Sequence, residues 1–158
     1  MTRPPLELGN TISKKIENHV FHIFKNHRLL DQAFTHPSAV SGKLHSNQRL
    51  EFLGDRVLGM VVADLLYEKY PNENEGALAA RFAALVRRDS LARIAQKLSL
   101  GDHIIVAKGE EDNGGRQNSA NLADLCEALI AALFLDGGYE VAARFIIFYW
   151  TPLMLESH

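Results

Sequence analysis

The sequence predicts an all-α domain. Apolar residues recur at helical spacing almost throughout, and turns marked by glycine and proline separate those stretches. No internal repeat, low-complexity tract or linker interrupts the pattern. The 158 residues suit one domain with a sizeable core, and a hydrophobic fraction of 47% marks a globular chain.

Each element follows in order. A short helix is expected over residues 29–34, stopped by the His36-Pro37-Ser38 turn. A loop with Ser41, Gly42 and Ser46 leads to a long helix over 48–70, ended by Pro71 and a turn over 72–76. Another helix, rich in Ala and Arg, covers 78–98 and closes near Gly101. Residues 103–106 read as a short extended stretch, and 109–118, polar and glycine-rich, as a loop. A helix over 122–135 stops at Asp136-Gly137-Gly138, and a last one over 139–150 ends at Pro152.

Composition excludes several classes. No apolar run reaches the roughly 18 residues needed to span a bilayer. The start, Met-Thr-Arg-Pro-Pro, lacks the apolar stretch of a signal peptide. A single cysteine, Cys126, excludes an intrachain disulfide and a multi-cysteine zinc site, and its apolar neighbours make it an inert core thiol. These features fit a cytoplasmic protein. The net charge of -2 sits awkwardly with a nucleic-acid partner, because phosphate contacts need Lys and Arg.

Two helices carry acids in unexpected places. With Leu50 at zero on a helical wheel, Leu53, Gly54, Val57, Leu58, Val61, Val62 and Leu65 fill a face centred near roughly 40°. Glu51 and Asp55 fall near roughly 100° and 140°, on its shoulder. They are four apart, so like charges become neighbours. Between Asn121 and Leu135 the only charged residues are Asp124 and Glu127, on a helix apolar nearly all round. Such a helix is normally buried, and buried carboxylates are costly unless paired, hydrogen-bonded or bound to a metal. Ala123, Ala128, Ala131 and Ala132 would let another helix approach closely. If the two helices cross, four carboxylates converge. Hard oxygen ligands in that number suit Mg²⁺ or Mn²⁺ rather than zinc, and the natural chemistry is phosphodiester or phosphoanhydride hydrolysis. Phe52 lies near roughly 200° on the same wheel, an aromatic on the outer side that suggests a partner surface.

The run Asn47-Gln48-Arg49-Leu50-Glu51-Phe52-Leu53-Gly54-Asp55 closely resembles the signature of the ribonuclease III family. Ala33-Phe34-Thr35-His36, Asn74-Glu75-Gly76, Leu85-Val86-Arg87, Gly109-Glu110 and Gly114-Gly115-Arg116 resemble further segments of it. The run from Leu122 to Leu129 resembles its second acidic motif, closed by Phe134-Leu135-Asp136-Gly137-Gly138. The likeness spans roughly residues 20 to 153, in the family's order and spacing.

The resemblance implies an all-α ribonuclease III endonuclease domain over residues 1–158, forming a symmetric homodimer. It implies Mg²⁺, with Mn²⁺ able to substitute, bound by Glu51, Asp55, Asp124 and Glu127. Asp55 and Glu127 would be catalytic, and Gln48, Glu75 and Glu110 would stand at secondary acidic positions. Gln48 departs from the glutamate of many members and removes one negative charge. Phe52 matches an aromatic knob that enters the partner subunit. The implied substrate is double-stranded RNA, cut to leave 5′-phosphates, 3′-hydroxyls and 3′ overhangs, in ribosomal RNA precursor and messenger RNA processing. No membrane and no small-molecule cofactor are implied. Candidate phosphate contacts are Arg49, Arg56, Arg81, Arg87, Arg88, Lys108 and Arg116. The chain ends at His158, where typical bacterial members continue into a double-stranded-RNA-binding domain, so that domain is absent from this chain. Its absence fits the acidic balance. Two other readings stand beside this one: an all-helical Mg²⁺-dependent nucleoside-triphosphate pyrophosphatase, and a non-catalytic RNA-binding module of the same fold.

Overall fold

Polar residues that cap helices set where the chain turns. Asn26 accepts a hydrogen bond from the Arg28 backbone N–H at 3.1 Å. Asn74 accepts from Ala77 N–H and Asn118 from Asn121 N–H, both at 3.0 Å. Each side chain satisfies a donor that the first helical turn leaves unpaired. The computed structural model describes residues 7–156 as eight helices: α1 Asn10–Val20, α2 His27–Ala33, α3 Gln48–Lys69, α4 Glu75–Val86, α5 Arg88–Lys97, α6 Lys108–Asp112, α7 Ser119–Gly137 and α8 Tyr139–Glu156. Short 3-10 turns, Pro37–Ala39, Lys43–His45 and Leu100–His103, lie in the connections. No described helix is long and apolar enough to cross a membrane.

The apolar helix α7 is the axis of the core. It packs against α3, α5, α8 and α2, and Leu125, Cys126 and Ala128–Leu133 along it are buried. Cys126 is fully buried, and burial pushes its thiol far up, as an inert core position requires. The α3 face expected to be apolar is the buried one: Leu50, Gly54, Val57, Leu58, Val61 and Val62 point into the core. Trp150 of α8 closes the far side, donating from its indole N–H to the Leu85 carbonyl at 2.9 Å.

Five expectations need correction. The helix α1 was not anticipated; it buries Ile16 and Val20 together with Ser13 and Glu17, whose polarity broke the apolar pattern. The helix expected over 78–98 is two helices, and the first begins at Glu75, because Asn74 caps it and takes Gly76 into its opening turn. The break falls at Arg87, which is extended at φ -70° and ψ 160°. There the Ser90 hydroxyl donates to the Ala84 carbonyl at 2.7 Å, satisfying a carbonyl at the end of α4. The loop expected over 109–118 contains most of α6. Finally, α8 runs through Pro152 to Glu156; the Thr151 hydroxyl donates to the Ile147 carbonyl at 2.6 Å beside the proline. The extended stretch expected at 103–106 reduces to an isolated parallel bridge between Thr35 and Ile105. That bridge holds the loop before α6 against the loop before α3.

Candidate active site

The crossing of α3 and α7 is close because α3 carries a glycine at the contact. A Cβ at Gly54 would collide with the backbone carbonyl of Glu127. Gly54 lies between Glu51 and Asp55 in sequence, so the approach that seats it also brings both acids to α7. One ligand oxygen each from Glu51, Asp124 and Glu127 lies within 4.8 Å of the others. Asp55 stands beside this trio, hydrogen-bonded to Glu127, with its side chain 52% exposed and 3.4 Å from the Arg56 guanidinium. Of the four acids expected to converge, three share one pocket and the fourth sits at its edge.

The electrostatics of the trio are unresolved within the chain. Burial, with Asp55 bonded to it and Asp55, Glu51 and Asp124 charged nearby, pushes Glu127 up to about 9. Burial and the neighbouring Asp124 push Glu51 up to about 7. Burial also raises Asp124, although its hydrogen bond with Glu51 and the charges of Arg88 and His36 oppose the rise. The hydrogen bond between Glu51 and Asp124 needs a proton between them, so the pair resists full ionisation. Among the described residues, no Lys, Arg or His makes an ion pair with Glu51, Asp124 or Glu127. Clustered carboxylates pushed toward neutrality, with no ion-pair partner among the described residues, fit a hard divalent ion supplied from outside.

The remaining expected residues lie apart from the trio. Gln48 is exposed in the first turn of α3, and Glu75 is exposed in the first turn of α4. Glu110, on α6, accepts a hydrogen bond from the Asn121 amide at 2.9 Å and lies 3.7 Å from His36. Phe52 is 63% exposed on the outer side of α3, with the Arg56 guanidinium 4.0 Å above its ring centroid. A cavity of about 640 Å³ opens beside it, lined also by Leu29, Gln32, Arg49, Leu50, Leu53 and Leu135.

The basic residues divide into two groups. Arg81 grips Glu73 with two nitrogens, the shortest contacts being 2.7 Å, and stacks 3.8 Å from the Tyr70 ring centroid. Arg116 donates to the Gly101, Asp102 and Ile104 carbonyls and to Glu111. Both guanidiniums brace the fold. Arg49, Arg87, Arg88 and Lys108 are exposed. Sequence reasoning gave no role to Asn121 and His36, which link Glu110 to the start of α7. A polar residue one turn before Asp124 on an otherwise apolar helix was the available signal.

Known proteins place the arrangement. The family model described as ribonuclease-III-like matches residues 26–153. The Ribonuclease 3 of Anaplasma phagocytophilum is 46% identical over 130 residues, which cover 82% of this chain and 55% of that relative. The chain spans less than two thirds of the length of the curated relatives it matches. The nuclease domain of ribonuclease III from Campylobacter jejuni superposes with a TM-score of 0.83 at 40% identity, covering 89% of this chain and 94% of that one. A second structure of that domain, which concerns flexibility in its region of dimer formation, also gives 0.83, covering 88% and 96%. The chain belongs to the ribonuclease III family and has the all-α fold of its nuclease domain.

Proposed function

We propose that residues 1–158 form the catalytic domain of an endoribonuclease that hydrolyses double-stranded RNA as a symmetric homodimer with Mg²⁺. The observation that carries this reading is the trio of converging carboxylates, none of them in an ion pair among the described residues. Glu51, Asp124 and Glu127 would hold the ion, with Asp55 completing the set from the edge. When bound, the ion supplies Lewis-acid polarisation of the scissile phosphate and a lowered pKa for the attacking water. Asp55, half-exposed and bonded to Glu127, would orient the attacking water and accept its proton. Hydrolysis would leave a 5′-phosphate and a 3′-hydroxyl, and paired sites across the dimer would leave 3′ overhangs. The cellular substrates we assign are ribosomal RNA precursors and messenger RNA in the cytoplasm. Mn²⁺ should substitute, since its oxygen-ligand preferences are close.

Arg49, Arg87, Arg88 and Lys108 are the proposed phosphate contacts, being exposed and without an ion pair among the described residues. A-form RNA hides its base edges in a deep major groove, so these cations would read shape and backbone rather than sequence. For the dimer, Phe52 would act as the knob and the adjoining cavity as the socket, both on one face of the chain. A two-fold axis through that face would seat each ring in the other subunit's cavity.

The test is incubation of the whole chain with a long RNA duplex, with and without Mg²⁺, followed by analysis of fragment ends. Duplex cleavage that needs the ion is expected, and the Glu127→Gln variant should keep fold, dimer and RNA binding while losing cleavage. Turnover by that variant at the wild-type rate would remove the assignment. Separately, Phe52→Ala should raise the dimer dissociation constant by roughly tenfold or more, as loss of a buried aromatic anchor does. Sedimentation equilibrium measures it, and an unaltered constant would count against the knob.

A further inference from the structure

Beside the carboxylate trio, a second polar cluster ties three loops to the first turn of α7. Its centre is Asn121, one helical turn before Asp124. The Asn121 amide nitrogen donates to Glu110 Oε1 at 2.9 Å and to the Gly115 carbonyl at 3.0 Å. Its Oδ1 lies 3.2 Å from His36 Nε2. The other ring nitrogen of His36, Nδ1, lies 3.0 Å from the Ser38 backbone N–H and 2.8 Å from the Ser38 hydroxyl. A backbone N–H can only donate, so Nδ1 accepts. The ring proton therefore sits on Nε2 and points at Asn121 Oδ1. The Ser38 hydroxyl oxygen in turn accepts from the Ala107 backbone N–H at 3.0 Å. One line of hydrogen bonds thus runs Ala107, Ser38, His36, Asn121, Glu110.

The line is tight at its far end. A Cβ at Gly115 would come within 2.6 Å of Glu110 Cγ and 2.7 Å of its carbonyl oxygen, so the loop wraps directly onto Glu110. Only Oε1 of Glu110 is engaged; Oε2 accepts from none of the described residues.

We infer that His36 is a positioning residue: acting through Asn121, it fixes the first turn of α7, one turn before Asp124, and so the placing of Asp124 toward an ion held by the trio. This rests on the proposed metal-binding role of Glu51, Asp124 and Glu127. The role needs the Nε2–H tautomer, which Ser38 imposes, and it needs an amide at Asn121 that can accept on one side and donate on the other. Outer hydrogen-bond partners of this kind tune metal affinity without touching the ion.

The experiment titrates the whole chain with Mn²⁺ alone, by calorimetry, in wild type, His36→Leu, Asn121→Leu, the double variant and His36→Gln. Each leucine variant should weaken Mn²⁺ binding by roughly tenfold, a usual effect of losing an outer partner. Because the two residues act in series, the double variant should be no weaker than either single one. Glutamine at 36 can still donate an N–H, so it should recover most of the affinity. In duplex cleavage the leucine variants should need more Mg²⁺ for half-maximal rate, with KM for RNA unchanged. Unchanged Mn²⁺ affinity in folded leucine variants, additive losses in the double variant, or no recovery by glutamine would each overturn the positioning role. If a leucine variant does not fold, the glutamine variant still decides, because it must match wild type for Mn²⁺. Failure of the wild type to bind Mn²⁺ at all would instead strike the metal reading on which this one rests.

Discussion

The middle of α7 and its C-terminal end treat buried acids in opposite ways. Asp136, near its C-terminus, has a side chain only 3% exposed. Burial alone would raise it, but donors surround it. The Lys25 and Asn26 backbone N–H groups donate at 2.9 Å, and His22 Nε2 lies at 2.7 Å. Together they hold its carboxyl below the usual range. Roughly 14 Å away along the helix, by the rise per residue, Glu127 receives no such donors and is pushed the other way. Asp136 is therefore a clamp that ties the end of α7 to the loop between α1 and α2. Glu127 and its neighbours carry an electrostatic cost that the chain leaves unmet. An acid whose donors lie within the fold is structural; acids that repel one another in a pocket imply a cation from outside.

The largest expected effect breaks the crossing that creates the contrast. Gly54→Ala places a Cβ against the Glu127 backbone carbonyl, and neither helix backbone can yield cheaply. Separating α3 from α7 also opens the core around Val57 and Val61. We expect a loss of about 3 kcal/mol or more, read as a fall in denaturant midpoint. A variant as stable as wild type would mean that the approach of α3 to α7 is looser than described.

The next effect sharpens the comparison directly. The same chemical change, carboxylate to amide, should move stability in opposite directions at two positions on one helix. Asp136→Asn removes the charge that Lys25, Asn26 and His22 surround, costing about 1–3 kcal/mol as charge-assisted hydrogen bonds do. Glu127→Gln removes a repelled carboxylate and should stabilise the metal-free protein by about 1 kcal/mol at pH 8. Thermal melts in a chelator read both. Destabilisation of equal size at both positions would erase the distinction between clamp and site.

The sequence exposed the site more fully than the clamp, and the reason is pattern. Asp124 and Glu127 stand out because everything else between Leu122 and Leu135 is apolar, and Glu51 and Asp55 because they flank an unbroken apolar face. The expected span 48–70 for α3 differs from the observed Gln48–Lys69 by one residue, since Pro71 follows directly. Asp136 gave no such signal: it reads as a turn residue before two glycines, and its donors lie 110 positions or more away in sequence. The break between α4 and α5 was invisible for a related reason. Arg87 and its neighbours form helices readily, and the chain turns there because Trp150 and Ser90 hold the Leu85 and Ala84 carbonyls. The bracing roles of Arg81 and Arg116 likewise depend on carbonyls and acids that periodicity does not locate.

The smallest expected effect is a slope rather than a step. In the fold Glu127 sits at about 9 and Glu51 at about 7, each against 4.5 for a free glutamate. Between those values the folded chain still holds protons that the unfolded chain has released. By linkage, stability then falls as pH rises. The contribution is complete below pH 4.5 and is lost as pH passes through about 7 for Glu51 and about 9 for Glu127. Asp136, lowered from 3.8, acts only in more acidic solution and does not enter this window. With a chelator present, the melting temperature should decline from pH 5 to pH 9 by several degrees, at roughly 2–4 °C per kcal/mol for a chain of this size. Millimolar Mg²⁺ competes for the same oxygens as the protons, so it should flatten or invert the slope. The difference between wild type and Glu127→Gln isolates the site from every other titrating group. A chelated wild type whose melting temperature rises over this range relative to that variant would show that the trio is already neutralised from within, and the contrast with Asp136 would disappear.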